Sequence, residues 1–160
     1  LTNNLIQQSF QGIAIKNRCN ATVIHNTIVD CDQGIALFEK PTTGSGGGQA
    51  TVINTIIWDC QESLSLDALS TISVRSSNLM HLAGVEDPSN FSLDPKWEVS
   101  AAGILIPALG SPLIDRGQPS EIMVDYFGTT RPFGPLPDIG AVEREYDVSI
   151  FDWFHYGLRE

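Results

Sequence analysis

Four acidic residues and one arginine in the last third of the chain are the groups best suited to chemistry. They are Asp115, Asp125, Asp138 and Glu143, with Arg131 between them. Carboxylate oxygens are the ligands that Ca²⁺ prefers, so Asp115, Asp125 and Asp138 are candidate metal ligands and Ca²⁺ is the candidate cofactor. An arginine among carboxylates can instead hold a turn-rich segment together through charge-assisted hydrogen bonds. We favour this structural interpretation for Asp115, Arg131, Asp138 and Glu143, and we assign no catalytic residue.

The first half of the chain repeats a short sequence motif. This repeat indicates the kind of scaffold that must position the acidic residues and Arg131. The motif occurs as NNLIQQSFQGIAI (3–15), HNTIVDCDQGIAL (25–37) and INTIIWDCQESLSL (53–66). Asparagines mark the repeat at Asn4, Asn26, Asn54 and Asn78, in steps of 22, 28 and 24 residues. Repeats of this length indicate a stacked architecture in which no single unit buries its own apolar face.

Alternating apolar residues, many of them β-branched, predict short strands in each repeat rather than helices. In the second repeat the candidates are ATVI (21–24), TIV (27–29) and GIAL (34–37). Asn26 lies between the first two. Since asparagine tolerates the left-handed backbone conformation, we expect it to turn the chain, and we expect the four repeat asparagines to be structural and to hydrogen-bond along the stack.

These repeats resemble the coils of pectate-lyase-like proteins over roughly residues 3–80. The resemblance implies an all-β fold, a right-handed parallel β-helix of about three to four coils over residues 1–80, followed by an irregular C-terminal cap. It also implies that an enzyme of this fold would work in a groove on one parallel sheet. The outward residues expected there are Ala14, Ala36 and Ser65, which supply no acid, base or metal ligand. His25 has no evident partner and is expected at the surface.

Two smaller features have structural interpretations. The glycine-rich insertion EKPTTGSGGGQ (39–49) predicts a flexible surface loop between coils. The three cysteines, Cys19, Cys31 and Cys60, are expected to be buried thiols stacked in the core, with a Cys31–Cys60 disulfide as the alternative.

The periodic pattern fades after residue 80, where prolines and glycines become frequent. Residues 81–145 predict a turn-rich cap that covers the open end of the coils. The segments FSLDPKW (91–97), LGSPLIDRG (109–117) and VDYFGTTRPFGPLPDIGAVE (124–143) resemble the terminal region of secreted bacterial β-helix proteins of the choice-of-anchor Q type. The resemblance implies a terminal module and not an active centre. Residues 146–160 form an aromatic tail, expected to pack on the cap or to begin a linker or docking segment.

The charge and hydropathy of the chain limit the kinds of partner that it can bind. The net charge of −10 argues against nucleic-acid binding, because an acidic surface repels phosphate backbones. No apolar run is long enough to predict a membrane span. The chain begins in the middle of a repeat, so we expect upstream coils of the same protein, or neighbouring subunits, to meet its open N-terminal end.

The predicted function is therefore that of the non-catalytic C-terminal part of a secreted or cell-surface parallel β-helix protein. It would act as a structural scaffold or as a rod that presents a surface to a partner, with polysaccharide the candidate partner. One alternative is a polysaccharide lyase or glycoside hydrolase whose catalytic groove lies on upstream coils. A second alternative is an extracellular fibre or matrix component that assembles end to end through exposed β-edges.

Overall fold

The computed structural model describes residues 1–41, 44, 46–85 and 87–146, and within these residues the protein is all-β with no helix. Three parallel sheets dominate. Their strands are β1 (Leu5–Gln7), β2 (Gln11–Lys16), β3 (Asn20–Ile24), β4 (Thr27–Val29), β5 (Gln33–Phe38), β6 (Gln49–Ile53), β7 (Ile56–Trp58), β8 (Glu62–Leu66), β9 (Thr71–Arg75) and β10 (Asn78–Leu79). A separate antiparallel pair joins β11 (Trp97–Val99) to β12 (Leu105–Pro107).

The chain visits the three parallel sheets in a fixed order. We name the sheets A (β3-β6-β9), B (β1-β4-β7-β10) and C (β2-β5-β8), and we call one pass through A, B and C a coil. Strands in neighbouring coils pair in register, as in Leu5 with Thr27 and Gln11 with Gln33. This stacking of parallel strands is compatible with a parallel β-helix and confirms the predicted all-β repeat architecture in its coarse form.

The core is formed by aliphatic side chains that stack in columns along the coils. Val23, Val52 and Val74 are paired across sheet A, and each is almost fully buried. Ile28 and Ile57 form the equivalent column on sheet B. Because full burial of one such side chain contributes about 1.5–3 kcal/mol, no coil is stable without neighbours that cover it.

The sharp turn between sheets A and B falls at the repeat asparagine itself at Asn54, but it comes one residue before Asn4 and Asn26 and two residues before Asn78. The residues with a left-handed backbone in this turn are Asn3, His25, Asn54 and Ser76, with φ of 53°, 53°, 50° and 47°. Asn26 follows the turn, and the register places it opposite Asn4 and Thr55 rather than Asn54. Asn4 does donate from Nδ2 to Oδ1 of Asn26 at 2.7 Å. The remaining asparagines do not extend this ladder.

The glycine run of the insertion packs between coils instead of forming a flexible surface loop throughout. Gly47 and Gly48 are buried. A Cβ atom on Gly48 would overlap the backbone carbonyl of Ile15, and one on Gly47 would overlap Leu69. Close backbone approach therefore requires glycine at these two positions.

The turn-rich region divides into two parts with different positions, where the sequence predicts a single end cap. Residues 82–85 and 87–93, here called the end segment, cover the last coil. Phe91 donates its backbone N–H to the Ser77 carbonyl at 2.8 Å, and Val85 is buried in the core.

Residues 111–146, here called the flank segment, lie along the outer face of sheet B instead of at the end of the stack. Gly140 donates its N–H to the Asn54 carbonyl at 2.8 Å, and Asn3 Nδ2 donates to the Val124 carbonyl at 2.7 Å. The reason is that sheet B is apolar on its outer side as well, since Ile56 packs against Leu113 and Ile139. The predicted aromatic tail falls outside the described residues, except for Tyr146.

Candidate functional site

Arg131 lies at the centre of the contact between the flank segment and the coils, with 1% of its surface exposed. Its Nη1 contacts Nδ1 of His25 and donates to the Asp138 carbonyl at 2.9 Å. Its Nη2 donates to the Gly140 carbonyl at 3.2 Å. The Glu143 carboxylate lies 3.4 Å from Nη1 and balances the charge. One side chain thus connects the coil turn at His25 to residues 138–143 of the flank segment.

His25 is the partner that sequence reasoning missed. It is fully buried, whereas a surface position was expected. Burial, and then the positive charge of Arg131, lower the pKa of His25 to about 3, so the imidazole is neutral at pH 7. Nδ1 faces the Arg131 guanidinium, and Nε2 lies 3.0 Å from the Ser120 hydroxyl and 3.1 Å from the Asn54 side-chain amide. The ring therefore bridges the coil turn to the flank segment.

The acidic residues of the flank segment bind backbone amides in place of regular strand pairing. Asp125 Oδ1 accepts from the N–H groups of Phe127 and Thr129, both at 2.8 Å, and its Oδ2 accepts from Glu143 N–H at 2.9 Å. The Glu143 side chain binds a third residue of the segment, since its Oε2 accepts from Asp138 N–H at 3.0 Å. Such side-chain-to-backbone bonds stabilise a segment that has almost no ladder of its own.

Asp138 and Asp115 continue this network. Asp138 accepts from Asp115 N–H and from Arg144 N–H, both at 2.7 Å. Burial, together with the Glu143 carboxylate, raises the pKa of Asp138 to about 7. Asp115 Oδ2 accepts from the Tyr146 hydroxyl at 2.8 Å, and burial with this contact raises the pKa of Tyr146 to about 12.

The geometry supplies no metal cage for the candidates Asp115, Asp125 and Asp138. Within the described ranges, no group of three or more His, Cys, Asp or Glu side chains is arranged to hold a metal ion. The oxygens of Asp125 and Asp138 already accept backbone N–H groups. What the structure brings together is Arg131 with Asp138 and Glu143, which is the arrangement of a structural pin.

The cysteines also differ in part from expectation. Cys31 and Cys60 are buried, and both are free thiols, whereas Cys19 is an exposed free thiol. Cys31 and Cys60 occupy equivalent positions in neighbouring coils, because Gln33 pairs with Glu62 two residues later. Burial raises the pKa of Cys60 to about 11, so this sulfur is a packed thiol rather than a nucleophile.

A second candidate site is an open groove of about 430 Å³ on the outer face of sheet C. Its lining includes the small side chains of Ala36 and Ser65, which pair in register across β5 and β8, and Ala14 pairs with Ala36 from β2. Ala36 is only 2% exposed, because longer side chains rise on both sides of it. The outer face is therefore not blank, although its small floor residues indicated that it would be.

One wall of the groove is a hydrogen-bonded row of amides. Gln11 Nε2 donates to Gln33 Oε1 at 2.8 Å, and Gln33 Nε2 donates to the Ser65 hydroxyl at 2.8 Å. Gln33 also lies 3.3 Å from the Glu62 carboxylate. These internal bonds fix the amides in place, and the two N–H groups of Gln33 are shared between Ser65 and Glu62.

Aromatic and charged groups complete the surroundings of the groove. Lys16 lies over the ring of Phe38 at 5.8 Å, and Phe10, which precedes Gln11, exposes 69% of its surface. Asp67 accepts from Glu39 N–H at 2.6 Å, and this bond and the Ser70 hydroxyl lower its pKa, so it is ionised at neutral pH. The sequence feature that could have identified these residues is the two-residue period of a strand, which places Lys16 on the same face as Ala14.

The lining residues suit binding better than catalysis. Glycoside hydrolysis uses two carboxylates on opposite sides of the scissile bond, and Asp67 is the single carboxylate among the residues that line the groove.

A comparison of the chain with protein-family models, curated proteins and solved structures found no match. Across the described residues, no helix has the length and apolar character needed to cross a membrane.

Proposed function

We propose that this chain is the non-catalytic C-terminal part of a secreted or cell-surface right-handed parallel β-helix protein, and that sheet C presents a binding groove to a polysaccharide. The flank segment would correspond to the terminal module that resembles the choice-of-anchor Q region. The observation that carries the proposal is the groove itself, whose lining combines small side chains, a row of hydrogen-bonded amides and the rings of Phe10 and Phe38. Sugar rings present hydroxyls to amides and C–H faces to aromatic rings, so these lining residues match a glycan.

A neutral glycan fits this groove better than a polyuronate. The chain carries a net charge of −10, and Asp67 and Glu62 lie at the groove or beside it. Carboxylates repel uronic acids, and the Lys16 ammonium beside the groove is engaged with the Phe38 ring. The proposed ligand is therefore an extended chain of uncharged hexoses or pentoses lying along the stack of coils.

Isothermal titration with a panel of neutral and acidic oligosaccharides tests this proposal. Phe10→Ala removes an exposed ring without disturbing the core, and we expect the dissociation constant to rise about tenfold, equivalent to about 1.4 kcal/mol. Val99→Ala is the matched control, since Val99 is 67% exposed on β11, away from the groove. Equal affinity in the two variants, or no binding to any oligosaccharide, would refute the groove assignment.

Catalysis by this chain itself is tested on the same samples by measuring the release of reducing ends or unsaturated products. Turnover by this chain would overturn the non-catalytic proposal. The fibre alternative is disfavoured by one observation: the end segment covers the last coil through the Phe91–Ser77 and Leu79–Phe91 backbone bonds. Head-to-tail stacking would need that coil to be open.

A further inference from the structure

Two short motifs in the sequence have no part in the proposed groove. Each has the pattern Asn-X-Ser/Thr, in which an oligosaccharide can be joined to the asparagine side chain of a secreted protein. The first motif is NAT (20–22) and the second is NFS (90–92). Their surroundings in the folded chain differ, and this difference shows which of the two asparagines the fold leaves free for modification.

The second motif is engaged in holding the end segment on the coils. Asn90 Nδ2 donates to the carbonyls of Val74 and Val85 at 2.9 and 3.4 Å. The Ser92 hydroxyl donates to the Met80 carbonyl at 3.0 Å. A sugar on Asn90 would replace one of the two N–H groups of Nδ2 and would place a bulky group between the end segment and the coil. The fold therefore excludes modification at Asn90.

The first motif lies open on strand β3. Asn20 and Thr22 are exposed on the outer face of sheet A, because they alternate with Ala21 and Val23, which pack in the core. Neither the Asn20 amide nor the Thr22 hydroxyl has a hydrogen-bond partner among the described residues. A sugar can therefore be attached to Asn20 without breaking any contact of the fold.

Asn20 also lines an open depression of about 280 Å³ on the outer face of sheet A. Asn20 pairs in register with Gln49, and Gln49 with Thr71, while Thr51 and Ser73 form a second row beside them. Each described residue that lines the depression is uncharged, and in the part of the chain that the structure describes these polar side chains make no hydrogen bond. Free amides and hydroxyls are the groups that bind sugar hydroxyls, and here they extend over about 10 Å from Asn20, two strand spacings.

We infer that Asn20 is an N-glycosylation site and that the depression on sheet A holds the first sugars of the attached oligosaccharide. Asn20 Nδ2 attacks C1 of an oligosaccharide linked to a polyprenyl diphosphate. The Nδ2–C1 bond forms, the C1–O bond to the diphosphate breaks, and Nδ2 loses one proton. Transfer before folding can reach both motifs, but only chains without a sugar at Asn90 can close the end segment. The inference rests on the secreted location in the proposed function, and it leaves sheet C open for its own ligand.

Peptide mass mapping of the protein secreted by its natural source tests this inference. An amidase that releases N-linked oligosaccharides converts the modified asparagine to aspartate, so the change in peptide mass identifies the site. We expect Asn20 to be converted, and Asn90 in the same folded molecules to remain asparagine. Unmodified Asn20 would overturn the inference, and so would conversion of Asn90 in folded protein.

Matched variants of the secreted chain separate the motif from the fold. Thr22→Ala should abolish the modification and Thr22→Ser, which keeps the hydroxyl, should retain it, while the urea midpoint of the sugar-free chain stays unchanged because Thr22 is exposed. Gln49→Ala with Thr71→Ala should keep the sugar but speed its cleavage between the first two residues by an endoglycosidase about fivefold, the effect of one hydrogen bond. An unchanged cleavage rate would refute the placement in the depression.

None of these results depends on the oligosaccharide titration of sheet C. The two proposals therefore fail separately.

Discussion

Replacement of Arg131 by methionine should cost this protein a large part of its stability. The guanidinium is 1% exposed, pairs with Glu143 at 3.4 Å, and donates to two backbone carbonyls of the flank segment. Arg131→Met leaves the Glu143 carboxylate buried without a cation, and it leaves His25 Nδ1 without a donor. Breaking a buried ion pair from one side costs about 3–5 kcal/mol, so we expect the free energy of unfolding to fall by about that amount.

Urea unfolding followed by circular dichroism measures this loss directly. With a slope of about 2 kcal/mol per molar urea, the midpoint of Arg131→Met should fall by about 2 M. Arg144→Met is the control, because Arg144 pairs with Glu98 at 2.8 Å near the surface, where the two side chains are 16% and 43% exposed. A pair in that setting contributes about 0–1 kcal/mol. Equal midpoints for the two variants would refute the role of Arg131 as the pin.

The pH dependence of the same variant provides a second check. Burial raises the pKa of Glu143 and of Asp138, the latter to about 7. In Arg131→Met, protonation removes the uncompensated charge, so the difference from the unmodified chain should shrink between pH 8 and pH 5. A difference that stays constant or grows on acidification would contradict an electrostatic origin.

Three further predictions concern the buried network and the core. The pKa of His25 is lowered from 6.5 to about 3 in the folded protein, so its contribution to stability is lost as the pH falls from 6.5 toward 3. The pKa of Asp138 is raised from 3.8 to about 7, so its contribution to stability is lost as the pH rises from 3.8 toward 7. His25→Gln should remove the first slope and Asp138→Asn the second in urea titrations across pH, and a profile identical to that of the unmodified chain would refute the assignment. Gly48→Ala should destabilise by about 1–3 kcal/mol because its Cβ overlaps the Ile15 carbonyl, whereas Gly110→Ala, which meets open space, should cost well under 1 kcal/mol in the same unfolding assay. With a thiol reagent at pH 8, Cys19 should react in the folded protein and Cys31 and Cys60 only after unfolding; rapid native labelling of Cys60 would contradict its burial.

The coils could be predicted from the sequence because their determinants are local. The candidates ATVI, TIV and GIAL fall within β3 (Asn20–Ile24), β4 (Thr27–Val29) and β5 (Gln33–Phe38). The predicted turn was right at Asn54 and one residue late at Asn4 and Asn26, because asparagine occurs both at the left-handed position and at the position after it, and the residue type does not distinguish the two. Asn3 has the left-handed backbone and Asn4 follows it, whereas in the next coil His25 has the left-handed backbone and Asn26 follows it.

The site was harder to predict, for reasons that differ between its two parts. Arg131 and His25 are 106 residues apart, and no periodicity connects an irregular segment to a particular coil turn. The placement of the flank segment beside sheet B depends on Ile56 facing outward. The strand β7 is apolar at every position, so its sequence does not show which side chains face outward. The groove was accessible to sequence reasoning, since Lys16 lies two residues after Ala14 on the same strand. It was missed because only the small residues of the floor were considered.

The most direct test of the central claim is to map oligosaccharide binding by NMR on the side-chain amides of Gln11 and Gln33. If sheet C presents a glycan groove without catalytic groups, addition of a neutral oligosaccharide should shift these amide signals and the Phe10 ring signals in a saturable manner. The sugar should be recovered intact. Shifts confined to sheet A or the flank segment, or cleavage of the oligosaccharide during the titration, would contradict the account.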